Sequence, residues 1–210
     1  MIRKGLILAF TSLGLAGCGV GGTHYDLVIE GGRVIDPESG LDGLRTIGVL
    51  AGEIAAITET SLEGDRVINA MGLVVVPGFI DLHEHGQEEE SYRMMVRDGV
   101  TTALELEVGT ADVEEWYAER EGGQLVNHGV SIGHIPVRMD VLDDPGDFLP
   151  AGSGGRGTAT PDQLDEIERG IREGIVQGAV AVGFGSAYTP GATMEEIERM
   201  FGVAGERAIS

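Results

Sequence analysis

Two histidines stand two residues apart in Asp81-Leu82-His83-Glu84-His85, directly after the apolar run Val74-Val75-Val76-Pro77-Gly78-Phe79-Ile80. In an extended strand alternate side chains share a face, so Asp81, His83 and His85 are expected to point the same way. Two imidazoles so placed can bind one divalent ion through their ring nitrogens, and Asp81 can then fix tautomer and ring orientation from behind. A solvated pair at a strand end is the plainer reading, and it fits poorly after so apolar a run. A second set lies in Thr101-Thr102-Ala103-Leu104-Glu105-Leu106-Glu107-Val108, where Glu105 and Glu107 share one face and Leu104, Leu106 and Val108 take the other. Two carboxylates turned into a core need a cation or a shared proton, whereas two solvated strand-end acids need neither.

Such side chains need a scaffold, and the pattern around them supplies one in two parts. Tyr25 to Ile29 and Arg33 to Asp36 read as a hairpin about Glu30-Gly31-Gly32, and Thr46 to Leu50 and Glu53 to Thr58 as a second about Ala51-Gly52. With short strands at Arg66 to Asn69 and Leu73 to Val76, residues 24–75 form a small antiparallel β domain. The nearly continuous apolar run from Val74 to Asp81 then matches a strand buried on both faces of a parallel sheet. Helices at Glu88 to Asp98, Asp112 to Glu121, Thr160 to Gln177 and from Thr193 alternate with strands at Thr101 to Val108, Gly129 to Val137 and Ala179 to Phe184. Leu164, Ile167, Ile171 and Ile175 recur at helical spacing, and Thr160-Pro161 opens that helix. Four βα units argue for a parallel α/β fold, closed as a barrel or open as a sheet. The Gly-, Asp- and Pro-rich stretch from Asp140 to Ala159 reads as a long loop, the place where such folds carry function.

Composition narrows the function. The 210 residues hold 35 acidic against 14 basic side chains, a net charge of −21, which repels a phosphate backbone and excludes nucleic-acid binding. A single Cys excludes a disulfide framework and a Cys-based zinc finger. That residue, Cys18, closes Leu15-Ala16-Gly17-Cys18 after Arg3, Lys4 and an apolar run from Gly5 to Leu15. The run is too short for a membrane span of about 20 residues, and the whole reads as a processed leader. Its end resembles the bacterial lipobox. The resemblance implies lipidation of Cys18 and an exported chain, anchored by lipid to a bacterial membrane and facing the periplasm or the exterior. An ordinary secretion signal cut between Ala16 and Gly19 is the alternative.

The segment Pro77-Gly78-Phe79-Ile80-Asp81-Leu82-His83-Glu84-His85-Gly86 resembles the first barrel strand of the amidohydrolase superfamily, and Tyr25 to Asp36 is similar to the β domain that opens these enzymes. Gly99-Val100-Thr101-Thr102 matches the stretch before their second strand, and Ala179 to Pro190 resembles the fourth-strand region of the N-acyl-D-amino-acid deacylases. The likeness covers roughly residues 25–208. With the lipobox leader taken as a lipoprotein signal at 1–18, it implies a β-sandwich portion at 19–75 and at 76–210 the first four βα units of a metal-dependent (β/α)8 TIM barrel. It further implies one or two divalent ions, zinc first, held by His83 and His85. D-aminoacylases place a bridging Cys near the second strand and hydantoinase-like relatives a carboxylated Lys on the fourth. Here neither residue is present, which leaves Glu107 as the bridging ligand and Glu105 as second choice. His134, Arg138 and Ser186 are implied substrate contacts, with a structural role for His134 as the alternative. Tyr188 is the implied polariser of the scissile carbonyl, or else an amphipathic residue at the lip.

The implied substrate is a small amide, an N-acyl-D-amino acid. Cyclic-amide hydrolysis, deamination and a non-catalytic surface lipoprotein are the rivals. Further His ligands and a catalytic Asp are expected from later strands, yet no His follows His134. A closed barrel takes about 250 residues, and residues 74–210 supply about half. The chain is therefore expected to be the amino-terminal part of a longer enzyme, without turnover by itself.

Overall fold

In the computed structural model, which describes residues 22–207, the polypeptide opens with β1 (His24–Asp36), β2 (Leu41–Leu50), β3 (Glu53–Thr58), β4 (Glu63–Asn69) and β5 (Val74–Val75). The leader expected at 1–18, with Cys18, lies outside the described residues. The strands form one sheet in the order β3-β2-β1-β4, with β5 also paired to β1. β2 runs antiparallel to β1 and β3, while β4 and β5 run parallel to β1. The sheet is thus mixed, not antiparallel throughout.

The expected hairpin at Glu30-Gly31-Gly32 is absent. Gly31, at φ +71°, makes a bulge that shifts the register between Ile29 and Gly32, and the strand continues. Reversal comes instead after Asp36, whose carboxylate accepts the Glu38 N–H (3.1 Å), the Ser39 N–H (3.3 Å) and the Ser39 hydroxyl. The turn at Ala51-Gly52 does form. Both residues have positive φ, +52° and +83°, and the Ala51 N–H donates to the Asp26 carboxylate at 2.6 Å. Tyr25, Val28, Val34 and Ile47 are buried in this unit, which ends at Pro77.

The second unit begins at Gly78. Its elements are β6 (Phe79–Asp81), α1 (Glu89–Arg97), β7 (Val100–Thr110), α2 (Val113–Ala118), β8 (Asn127–Gly133), α3 (His134–Val141), α4 (Ser153–Arg156), α5 (Pro161–Val176), β9 (Ala181–Gly183) and α6 (Met194–Arg207). The strands are parallel and ordered β6-β7-β8-β9. Sequential order with helices between is the wall of a barrel, since a doubly wound sheet reverses its order. The apolar run from Val74 does not make one buried strand. Val74–Val75 pair with β1, Pro77 lacks the N–H a ladder needs, and β6 is a short edge strand with Phe79 and Ile80 exposed. Among the described residues no helix is long and apolar enough to cross a membrane.

Two further elements differ from expectation. The strand expected over Gly129 to Val137 stops at Gly133, and α3 begins at His134. Pro136 lies in the first turn of that helix, where a missing N–H costs nothing. The expected loop from Asp140 begins only after Val141 and contains α4. α5 opens with a full capping box between Thr160 and Gln163, with Pro161 following the cap. Ile167 and Ile171 of α5 join Val130 and Ile132 of β8, Val113 of α2, Val137 of α3, and Met200 and Val203 of α6 in the main core. A Cβ on Gly174 would lie 2.4–2.7 Å from Ile132 side-chain carbons, so this glycine lets α5 approach β8 closely.

Candidate metal centre

β6 ends at Asp81, and the chain beyond it touches β7 through a single bridge between His83 and Glu105 and through the Glu84 N–H donated to the Leu104 carbonyl (3.2 Å). This brings His83 and His85 beside Glu107. His83 Nε2 lies 3.0 Å from His85 Nε2 and 3.1 Å from Glu107 Oε2, and His85 Nε2 lies 3.6 Å from the same oxygen. Tetrahedral zinc with bonds of about 2.0–2.1 Å separates its ligand atoms by about 3.3 Å. The three spacings bracket that value. Two imidazole nitrogens and one carboxylate oxygen are also the donors zinc takes in catalytic sites, with a position left open. The residues therefore fit a divalent ion.

Glu105 and Asp81 occupy other places than expected. Glu105 is 6% exposed, and its Oε2 meets His85 Nδ1, the ring nitrogen turned away from the cluster. Its Oε1 accepts the N–H groups of Glu107 and Val108, each at 3.0 Å. It is thus no member of the convergent group, which is His83, His85 and Glu107. Asp81 accepts the backbone N–H of His83 at 3.0 Å and holds the chain rather than a ring. The two acids differ because Asp81 precedes the turn out of β6, whereas Glu105 lies on the neighbouring strand behind His85.

No family model matches the chain. It is 27% identical over 205 residues to an N-acyl-D-glutamate deacylase from Alcaligenes xylosoxydans xylosoxydans, covering 82% of this chain and 40% of the relative. A solved N-acyl-D-glutamate deacylase from Bordetella bronchiseptica, complexed with zinc and a phosphonate mimic of the tetrahedral intermediate, superposes with a TM-score of 0.74. The identity is 26%, over 88% of this chain and 44% of that one. A D-aminoacylase with a binuclear metal centre gives a TM-score of 0.68 at 25% identity, over 84% of this chain and 42% of that one. The chain is similar to D-aminoacylases and N-acyl-D-glutamate deacylases. It spans about two-fifths of the length of these relatives.

The other expected residues are not members of the convergent group. His134 and Arg138 sit on α3, not at a strand end, and are 1% and 0% exposed. Both bind Glu196 of α6. His134 Nε2 lies 2.8 Å from Oε1, and one Arg138 nitrogen donates to both carboxylate oxygens at 3.1 and 3.4 Å. Arg138 also donates to the Gly157 carbonyl, and His134 stacks on Phe184 at 5.4 Å. Burial holds Arg138 below its ordinary value, against the pull of Glu196. These two side chains tie α3 to α6 and are buried. Ser186 and Tyr188 are exposed on the segment after β9.

Glu196 escaped the sequence reading, although it falls in helical register with buried Met200 and Val203 while Glu195 beside it is exposed. Phe148 escaped it too. Its ring stands edge-on to His85 at 5.4 Å. The loop that carries it is wound about Asp144, whose carboxylate accepts N–H groups from Gly146, Ala151, Gly152 and Gly154 at 2.7–2.8 Å. Desolvation raises the Asp144 carboxyl, and the four N–H donors outweigh it, lowering it to about 2.

Proposed function

We propose that the chain carries the metal-holding part of a zinc-dependent hydrolase that cleaves the C–N bond of a small amide, with N-acyl-D-amino acids as substrate class. The convergence of His83 Nε2, His85 Nε2 and Glu107 Oε2 carries this reading. The likeness to N-acyl-D-glutamate deacylases supports it. A divalent ion held there supplies Lewis acidity toward a carbonyl and activates water at neutral pH. His83 and His85 hold the ion from the exit of β6, and Glu107 adds a negative charge from β7. Phe148 stands edge-on to the His85 ring. Tyr188, exposed after β9, is proposed to donate its hydroxyl to the substrate carbonyl oxygen. Export and anchoring through a lipid on Cys18 complete the proposal.

Zinc retention after desalting, read by mass spectrometry, tests the centre. The parent should keep zinc, and His83→Ala and His85→Ala should each lose most of it with the fold intact. Glu107→Gln should keep part, because both imidazoles remain. Two His variants that hold zinc like the parent overturn the reading. For the substrate class, the whole protein should release amino acid from N-acyl-D- and not N-acyl-L-amino acids. Zinc retention without such turnover would favour a binding protein.

A further inference from the structure

We infer that Glu105 is the positioning residue of this centre, one buried carboxylate that sets the tautomer of His85 and also holds the stretch of β7 from which Glu107 faces the histidines. The inference rests on reading His83, His85 and Glu107 as metal ligands. A buried carboxylate must satisfy both oxygens. Glu105 does so by joining two different segments. Oε2 lies against His85 Nδ1, so the ring keeps its proton on Nδ1 and turns a bare Nε2 toward His83 and Glu107.

Oε1 takes the N–H groups of Glu107 and Val108. In a regular strand those amides alternate in direction, and those facing the neighbour would donate to it. Here the β7–β8 register breaks between Glu105 and Thr110, the stretch that contains Glu107. The Glu105 side chain thus takes the N–H groups two and three residues ahead of itself, within the stretch where the ladder register shifts. Glu107 Oε2 ends 3.1 Å from His83 Nε2. One side chain thereby couples a ligand at the exit of β6 to a ligand on β7.

The residue type is restricted by this double duty. Gln has one acceptor oxygen and one NH2 group. If its oxygen serves the two amides, its NH2 faces His85 and drives the ring proton to Nε2, against the ion. If its oxygen serves His85, its NH2 opposes two backbone N–H groups. Asp keeps the charge and is one methylene too short to serve both segments.

The experiment has two arms on the 210-residue chain. Long-range nitrogen–proton spectra of the metal-free parent should show the neutral His85 ring protonated on Nδ1. In Glu105→Gln that signature should shift toward Nε2–H, and zinc affinity, by competition with a chromophoric chelator, should fall about 10- to 100-fold. Circular dichroism checks that the variant is folded, and the parent spectrum needs no variant at all. A parent that holds no zinc overturns the metal reading itself. A parent that holds zinc while its His85 carries the proton on Nε2, or a folded Glu105→Gln that binds zinc as the parent does, overturns the role of Glu105 alone.

Discussion

Replacing Glu196 by Ala should be among the most destabilising single changes in the second unit. Glu196, His134 and Arg138 are all at most 1% exposed, and Glu196 Oε1 is shared by His134 Nε2 at 2.8 Å and an Arg138 nitrogen at 3.1 Å. His134 Nδ1 and Arg138 Nε already lack partners, so neither side chain has another contact to fall back on at those atoms. Removing the carboxylate leaves a guanidinium buried with only the Gly157 carbonyl. Breaking a buried pair in this way costs about 3–5 kcal/mol, against a total stability of about 5–15 kcal/mol for a typical domain. At about 2–4 °C per kcal/mol for a chain of this size, Tm should fall by roughly 6–20 °C. Urea denaturation can be followed through Trp116, the one tryptophan of the chain, which packs against the same core. A double variant, Arg138→Met with Glu196→Leu, removes the stranded charge and should recover most of the loss. The reasoning is refuted if Glu196→Ala costs less than about 1 kcal/mol, the level of an exposed pair, or if the double variant is no more stable than the single one.

The Asp144 carboxyl is depressed to about 2, so its contribution to stability is complete above the ordinary Asp range and is lost as pH falls toward about 2. Asp144→Ala should therefore speed hydrogen exchange at Gly146, Ala151, Gly152 and Gly154 at neutral pH and release Phe148 from His85, both visible by NMR. Unchanged exchange would show that the loop is held by something else. Gly174→Ala forces a methyl onto Ile132 and should cost about 1–3 kcal/mol despite the better helix propensity of Ala, as read by urea denaturation. Cys18→Ala should abolish a lipid-sized mass increment and move the protein out of the membrane fraction of cells; unchanged mass and pelleting would sink the anchor.

Much of this arrangement is legible in the local sequence. The capping box at Thr160 and the spacing of Leu164, Ile167 and Ile171 define α5, because helix ends and helix faces are set by residues close in the chain. The Ala51-Gly52 turn is equally local. Failures came where one local signal suits two structures. Gly31 serves a bulge as well as a turn, and only the partner strand β2, continuous along β1 on both sides of it, decides between them. Pro136 follows a strand-like run, yet it suits the first turn of a helix better than a ladder.

The amino acids themselves determined the alternation of strands and helices, the acidic character of the chain, and the pairing of two imidazoles with inward acids. These follow from side-chain chemistry and from periodicities of two and 3.6 residues, which act within a few positions. Only the tertiary structure decided which acid does what. Glu105 and Glu107 are indistinguishable by type and by strand face, and they part where the β7–β8 register breaks beyond Glu105. Asp81 and Glu105 both precede a histidine or face one, but only Glu105 reaches a ring nitrogen. His134 and Arg138 meet Glu196, 62 and 58 positions away, a pairing that no local signal announces. Hydrogen bonds between distant segments are short-ranged and directional, so their partners are settled by register and packing that no neighbouring residue encodes.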